Sequence, residues 1–278
     1  MSALSPAENL PDQPYIHGFS AAEQARLVRQ ARFSEAMVYR DVDFSSGGRL
    51  LEVGCGVGAQ TEILLRRYPE LNITGIDFSQ RQLAVARQRL QGSPFQERAT
   101  LLHMDAEDMD FAPATFDAAF LCWILEHVHA PERVLAEARR VLKPGARLYA
   151  TEAMNATFFM APYSARLQQY WLAFNDHQLA MGGDPFIGAK LGNILQRLGF
   201  RDVQTQVKTW HLDSREPHRR QLVLDYWTEL LLSAADQLIE AGSVDAQLVE
   251  EMTRELRQLR SDPELVFFYS FMQASAVV

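Results

Sequence analysis

The 278-residue chain contains only two cysteines, and it is poor in basic residues. Cys55 lies between two glycines and Cys122 lies in an apolar run, so neither resembles part of a disulfide framework or a metal-binding cluster. We therefore expect no metal site. The 27 Lys and Arg stand against 35 Asp and Glu, which gives a net charge of -8. This balance disfavours a nucleic-acid partner, because binding to phosphates needs a positive surface.

The sequence also has no long uninterrupted apolar run. The strongest candidate for a membrane span, residues 222–238, contains Asp225, Glu229 and Asp236, whose charges disfavour a spanning helix. The first fourteen residues lack the basic segment and apolar stretch of a signal peptide. With 47% apolar and 22% charged residues, the composition is typical of a globular protein with a substantial core. We expect a cytoplasmic protein without membrane contact.

Short apolar runs alternate with helical patterns between residues 49 and 153. Helices are predicted at 59–68, 79–90 and 131–142, and strands at 49–53, 72–76, 100–103, 116–122 and 147–152. Ser79 is the N-cap of the second helix, and Pro131 stands in the first turn of the third. Before this region a helix is predicted at 20–39, where Ser20 and Glu23 form a capping box. Strands separated by helices of this length indicate βαβ units and a parallel sheet. Right-handed crossovers then place helices on both faces. The prediction is a doubly wound α/β fold.

The composition changes after residue 153. Strands at 202–211 and 265–274 bring the predicted sheet to seven strands, mostly parallel. The stretch 155–181 is unusually aromatic, and helices are predicted at 187–198, 217–241 and 244–260. We expect helical cap elements at about 155–183 and 215–262. The pattern leaves open whether the second of these covers a substrate or forms a contact in a homodimer.

The sequence LEVGCGVG at residues 51–58 is a strand that runs into glycines and then into a helix. Such a turn brings unpaired backbone N–H groups close to a ligand. The spacing of Gly54, Gly56 and Gly58 departs from the G-x-G-x-x-G of dinucleotide-binding proteins, which disfavours a pyrophosphate ligand and a nicotinamide dehydrogenase. Asp77 follows the second strand, at the edge of the sheet where ligands bind. Its carboxylate can accept hydrogen bonds from ribose hydroxyls.

Two further segments follow strands at the same edge. Asp105 comes just after the third strand and can accept from an adenine amino group, while the next backbone N–H, that of Ala106, can donate to the ring. The run Leu121-Cys122-Trp123 ends the fourth strand, close to where the glycine loop should lie. Together these segments predict a site for an adenosine-like ligand.

Five runs in this order, LEVGCGVG, GIDFS, HMDAEDM, FDAAFLCWILEHV and RVLKPGARL, resemble the class I S-adenosylmethionine-dependent methyltransferases. The resemblance covers roughly residues 49–153 and is greatest for the ubiquinone/menaquinone-biosynthesis-like small-molecule branch. It implies a Rossmann-like fold and S-adenosyl-L-methionine as cofactor. It also implies transfer of a methyl group, by in-line displacement, to a small-molecule acceptor. Residues 1–46 would then form an arm and a helix over the cofactor, and residues 47–278 the methyltransferase domain.

The resemblance assigns cofactor contacts by matching position. The methionine portion would be held by Glu52, Gly54, Cys55, Gly56 and Gly58. The adenosine would be bound by Asp77 at the ribose, Phe78 on the adenine face, and Asp105 with Ala106 at the adenine edge. The backbone carbonyl of Cys122 would accept from the cofactor's amino group. Gln60, at a helix start, is a candidate for the cofactor carboxylate. Tyr15 lies in a YIHG segment that either contacts the cofactor or packs as an arm.

His127 is the candidate catalytic residue, since it follows the fourth strand on the active-site side. Either it acts as a general base or it is a helix-start histidine bonded to backbone, and the sequence favours neither. A base is needed only if the acceptor is protonated. A second hypothesis keeps the cofactor but uses it structurally, in a cyclase-like protein or a partner subunit. Methylation of a macromolecule is disfavoured by the charge and by Leu121-Cys122-Trp123-Ile124, which stands where an Asn-Pro-Pro-Tyr-like tetrad would be expected.

Overall fold

A computed structural model describes residues 15–278, and the predicted arm at 1–14 lies outside the described residues. The strands are β1 (Gly48–Val53), β2 (Leu71–Asp77), β3 (Ala99–His103), β4 (Phe116–Cys122), β5 (Leu142–Ala153), β6 (Phe159–Ala161), β7 (Arg201–Leu212) and β8 (Val266–Val277). The helices are α1 (Ala21–Val38), α2 (Ala59–Arg67), α3 (Gln80–Leu90), α4 (Pro131–Val141), α5 (Ala165–Ala180), α6 (Leu191–Arg197), α7 (Pro217–Ser233), α8 (Ala235–Glu240) and α9 (Ala246–Arg260).

The strands form one sheet in the order β3-β2-β1-β4-β5-β8, and β7 pairs with the other edge of β8. Strands β1 to β5 are parallel to their neighbours, whereas β8 runs antiparallel to both β5 and β7. The prediction of a doubly wound, mostly parallel α/β sheet is confirmed. The short strand β6, which the sequence pattern did not reveal, continues the line of β5 along β8.

Neighbouring residues of the central strands pack into two separate hydrophobic clusters. Leu50 packs in the cluster that includes side chains of α1, α2, α5, α7 and α9. The next residue, Leu51, packs in the cluster that includes side chains of α4 and α6. This alternation follows from the pleat of a strand, whose successive side chains point to opposite faces. The sheet therefore has helices on both faces, and the ends of β1, β2 and β4 that carry the motifs meet at one edge.

Helix α1 starts as its capping-box pattern predicts, because the Ser20 hydroxyl accepts from the Glu23 N–H at 3.1 Å. The Glu23 carboxylate is used differently: it pairs with Arg26, and Tyr15 donates to it. Helix α1 packs on α7, and α5 packs on α9, so the predicted cap segments lie against one another. No helix within residues 15–278 is both long and apolar enough to cross a membrane. The division of the chain at residues 46 and 47 stays a prediction.

Candidate functional site

The glycine loop between β1 and α2 is tied to the end of β2. The N–H groups of Gly54 and Cys55 both donate to the Ile76 carbonyl, at 2.9 and 3.0 Å. Gly54 has φ +71°, and a Cβ there would lie 2.5 Å from Ile124 Cδ1. Gly56 has φ +51°, but a Cβ there would meet only open space. The first glycine thus permits close packing within the protein, and the second leaves its space free for a ligand.

Asp77 lies at the carboxyl end of β2 and holds the loop. Its two carboxylate oxygens accept from the backbone N–H of Gly56 at 2.7 Å and of Ser79 at 2.8 Å. Burial raises the pKa of this carboxyl, and the two backbone hydrogen bonds oppose that shift. Each carboxylate oxygen can accept a second hydrogen bond. Asp77 therefore shapes the loop and still has acceptor capacity for ligand hydroxyls.

A cavity of about 1010 Å³, counted with its open mouth, lies between the glycine loop and α1. Nine of the residues predicted for the site line it: Tyr15, Gly54, Cys55, Gly56, Gln60, Asp77, Phe78, Cys122 and His127. We call this the cofactor cavity. The sequence did not single out the α1 residues that close it, Leu27, Gln30 and Ala31.

Four predicted residues do not line the cofactor cavity. Glu52 is buried and accepts from the Thr61 hydroxyl at 2.6 Å. Gly58 has φ +73° and is the N-cap of α2, where a Cβ would lie 3.0 Å from the Ala86 Cβ. The other two, Asp105 and Ala106, lie in the turn after β3, where Asp105 accepts from the Glu107 N–H at 2.8 Å and Ala106 packs on the hydrophobic cluster of α4 and α6. Their contacts with a cofactor stay predictions.

Gln60 is held in place by its neighbours. The Tyr39 hydroxyl donates to Gln60 Oε1 at 2.7 Å, and Gln60 Nε2 donates to Cys122 Sγ at 3.6 Å. Tyr39 was not predicted from the sequence, because it lies at the end of α1, far from the motifs along the chain. The amide of Gln60 is thus oriented at the wall of the cofactor cavity.

The titration of Glu52 should make stability pH-dependent. Burial raises its pKa to about 8, against the opposing hydrogen bond from Thr61. Between the unfolded value of 4.5 and this value, the folded state binds more protons, so the free energy of unfolding falls as the pH rises. We expect Glu52→Gln to reduce that fall between about pH 5 and 8 by about 2–4 kcal/mol. Urea unfolding at both pH values measures it. An unchanged pH dependence would contradict this assignment, and exposed Glu250→Gln is the control.

A second cavity of about 430 Å³ adjoins the first, and Gln30, Trp123 and His127 line both. Most of its remaining lining comes from the predicted cap segments and the last strands. These residues are Trp171, Phe174 and Gln178 of α5, Trp210 of β7, Tyr226, Trp227 and Leu230 of α7, and Tyr269 of β8. The lining is completed by His17, Glu126, Ala153 and Asn155. We call it the aromatic cavity. All four tryptophans of the chain line it.

The rings of the aromatic cavity hold one another in position. Trp171 and Phe174 stack at 5.2 Å between centroids with 9° between planes, and Trp227 and Tyr269 lie 4.7 Å apart. Such ring pairs add about 0.5–1.5 kcal/mol beyond their burial. The indole N–H groups of Trp210 and Trp227 are buried and have no acceptor within the described part of the chain. The wall is therefore closely packed, and it contains donors that the described part of the chain does not satisfy.

Glu126 and His127 lie where the two cavities meet. His127 Nε2 is 3.5 Å from Glu126 Oε1, and His127 Nδ1 is 3.4 Å from Gln178 Nε2. Burial lowers the pKa of His127 to about 3, with a further contribution from Arg26. Burial raises the pKa of Glu126 to about 7, against opposing effects of Arg26 and Gln178. A general base works best with a pKa near the working pH, so Glu126 fits this role better than the predicted His127.

The segment before α1 closes over both cavities. Gln237 Nε2 donates to the Tyr15 and Ile16 carbonyls, both at 2.9 Å, and His17 Nδ1 lies 2.7 Å from the Ser233 hydroxyl. The Tyr15 ring meets the His127 ring edge-on at 4.9 Å. Tyr15 is therefore fixed by α8 and packed beside His127, at the wall of the cofactor cavity.

The described residues contain no group of three or more His, Cys, Asp or Glu side chains that could hold a metal ion. The family model of a methyltransferase domain matches residues 51–150. A demethylmenaquinone methyltransferase of Symbiobacterium thermophilum is 36% identical over 111 residues, which cover 40% of this chain and 44% of that protein. The chain thus matches less than half of this relative's length.

Two solved structures resemble the whole fold. A Haemonchus contortus phosphoethanolamine N-methyltransferase 2, bound to phosphomonomethylethanolamine and S-adenosylhomocysteine, has a TM-score of 0.58 at 18% identity, covering 93% of this chain and 57% of that one. The [4+2]-cyclase SpnF has a TM-score of 0.55 at 23% identity, covering 89% and 81%. These likenesses show the fold. The predicted resemblance of the motif region is confirmed by the family model and the relative.

Proposed function

We propose that this chain, whose residues 51–150 match a methyltransferase domain, is a class I S-adenosylmethionine-dependent methyltransferase that transfers the methyl group to a small molecule held in the aromatic cavity. The observation that carries the proposal is the pair of adjoining cavities. One is lined by the cofactor motif, the other by the caps, and they meet at Gln30, Trp123 and His127. A donor and an acceptor placed in them would face each other across that junction.

The chain's own residues can hold the cofactor. Asp77 has acceptor capacity for ribose hydroxyls, Phe78 offers its ring, and the glycine loop leaves backbone room at Gly56. Gln60, oriented by Tyr39, presents an amide to the cofactor's amino-acid end. When bound, S-adenosylmethionine supplies a sulfonium-activated methyl group.

The protein's contribution to the reaction would be alignment and exclusion of water. Holding two reactants in attack geometry can contribute about 7–11 kcal/mol to lowering a barrier. The segment at Tyr15, helix α1 and the rings of α5 and α7 cover part of the two cavities, which limits water access. If the methyl acceptor carries a proton on its attacking atom, Glu126 can accept that proton.

The structural use of the cofactor, as in a cyclase, is the less favoured hypothesis. The sequence of the cyclase is 23% identical to that of this chain, and this similarity supports only the fold. The relative with the higher identity is a methyltransferase by name. A cytoplasmic location, the absence of a nucleic-acid partner and a homodimer stay predictions.

A substitution in the glycine loop tests the cofactor cavity. Alanine at position 56 is strained by the φ of +51°, but its Cβ meets only open space, so we expect Gly56→Ala to fold. We expect it to bind S-adenosylhomocysteine about 10- to 100-fold more weakly, since the added methyl group lies at the wall of the cofactor cavity. Calorimetric titration measures the affinity. Gly145→Ala is the matched control, since Gly145 also has positive φ, +82°, and open space, but is an exposed residue of β5 that does not line the cofactor cavity. Equal affinity in both variants would refute the assignment of the cavity.

Methyl transfer itself is tested with methyl-labelled S-adenosylmethionine and fractions of a metabolite extract. We expect label in a small organic product with the wild-type chain and a large reduction with Gly56→Ala. Cofactor binding without any labelled product would instead support the structural hypothesis.

A further inference from the structure

Glu126 is the carboxylate in the wall of the aromatic cavity. Its side chain contacts His127 Nε2 at 3.5 Å and the amide of Gln178. Neither is a cation, because burial keeps the pKa of His127 at about 3. A buried carboxylate without a cation in contact carries a large desolvation cost. The wall therefore favours a ligand that brings a positive charge.

The nearby cation, Arg26, is already occupied. Its Nε and one Nη donate to the two Glu23 oxygens, both at 2.6 Å, and its other Nη donates to the Tyr226 hydroxyl at 2.9 Å. His17, which also lines the cavity, has its pKa lowered by burial and contacts the Ser233 hydroxyl. Among the described lining residues, no Lys or Arg faces the ligand space. A phosphate or carboxylate on the ligand would thus lack a charged donor.

The remaining wall suits an organic cation. Trp123, Trp171, Trp210, Trp227 and Tyr269 are among the rings that line it. An ammonium group over the face of such a ring is attracted by the electrons of the ring, and the attraction is stronger when the group is desolvated. The rings are fixed by mutual packing, so little order has to be gained on binding. A chain with net charge of -8 also attracts cations over longer distances.

We propose that the aromatic cavity binds the methyl acceptor as a small organic amine, recognised by the Glu126 carboxylate and the surrounding rings. This inference rests on the proposed methyltransferase function and names its substrate class. Anionic molecules would be excluded, and neutral isosteres would bind more weakly than the amine.

The reaction then balances without a further reagent. The ammonium transfers one proton to the Glu126 carboxylate, which becomes a carboxylic acid, and the amine nitrogen regains its lone pair. That lone pair forms the new N–C bond while the C–S bond breaks and its electron pair stays on sulfur. The products are the N-methylated ammonium and neutral S-adenosylhomocysteine. Glu126 returns its proton to solvent when the product leaves.

The four tryptophans provide the readout, because all of them line this cavity. The full chain, saturated with S-adenosylhomocysteine at about pH 8 so that Glu126 is largely ionised, is titrated with isopentylamine, isopentyl alcohol and 4-methylpentanoate at constant ionic strength. Tryptophan fluorescence reports binding. We expect the amine to bind about tenfold or more tightly than the alcohol, and the carboxylate to give no saturable change.

Glu126→Gln keeps the size of the side chain and removes its charge. We expect it to weaken amine binding about 10- to 30-fold while leaving the alcohol unchanged, and the exposed Glu250→Gln to change neither. Should Glu126→Gln fail to fold, the order of the affinities of the three probes for the wild-type chain still tests the inference. Equal binding of alcohol and amine would overturn the inference. Failure of S-adenosylhomocysteine to bind would instead overturn the proposed function.

Discussion

Replacing Asp77 by alanine is expected to weaken S-adenosylhomocysteine binding about 100-fold or more. The carboxylate accepts from the backbone of Gly56 and Ser79, so it holds the glycine loop in place. Its free acceptor positions would also bind two ribose hydroxyls. Hydrogen bonds to a charged group contribute about 1.5–3 kcal/mol each, so the loss of two corresponds to at least this factor. Calorimetric titration of the folded variant measures it.

Asp117→Ala is the matched control for this experiment. Asp117 also accepts from a backbone N–H, that of Arg49 at 2.8 Å, and it belongs to the sheet, at the start of β4. It lies at the opposite end of the strands and does not line the cofactor cavity. We expect a change of stability in both variants, but a loss of cofactor affinity only at Asp77. An affinity for Asp77→Ala within threefold of wild type would show that the carboxylate does not bind the ribose.

The fold was largely predictable because its signals are local. Alternating apolar strands and helices around 49–153 specify βαβ units, and Ser20, Ser79 and Pro131 mark helix starts where the structure has them. The direction of β8 was not predictable from the sequence, since its antiparallel pairing with β5 and β7 depends on contacts between distant segments. Residues 217–241 were predicted as one helix and form two, α7 and α8, joined at Ala234, where no Gly or Pro signals a break.

The cofactor cavity and the aromatic cavity also differ in how far they could be predicted from the sequence. The cofactor cavity is built from motifs that directly follow strands, so Gly56, Asp77 and Phe78 could be assigned from their order and spacing. The aromatic cavity collects side chains from α5, β7, α7 and β8, whose meeting depends on tertiary packing. No periodic pattern distinguishes Trp210 or Tyr269 from ordinary core residues. Glu126 was overlooked because its neighbour His127 is the more usual base, and burial, which sets both pKa values, is not visible in the sequence.

The largest effect on stability is expected from Arg26→Ala, at about 3–5 kcal/mol. Arg26 and Glu23 form a buried ion pair, with 3% and 0% of their side chains exposed. Removal of the guanidinium leaves the Glu23 carboxylate buried without a cation among the described residues, of which only the Tyr15 hydroxyl donates to it, at 3.2 Å. It also breaks the link from α1 to Tyr226 of α7, which lines the aromatic cavity. Urea unfolding at neutral pH measures the change.

A second ion pair of helix α1 is exposed and serves as the comparison for Arg26→Ala. Arg29 pairs with Glu229 of α7 at 2.6 Å, but both side chains are about half exposed, at 51% and 45%. Exposed ion pairs contribute about 0–1 kcal/mol, so Arg29→Ala should cost far less than Arg26→Ala. The double variant Glu23→Gln with Arg26→Met removes both charges and should recover much of the loss, because the cost of Arg26→Ala comes from the carboxylate left unpaired. If the double variant were as unstable as Arg26→Ala, the loss would come from packing rather than from charge.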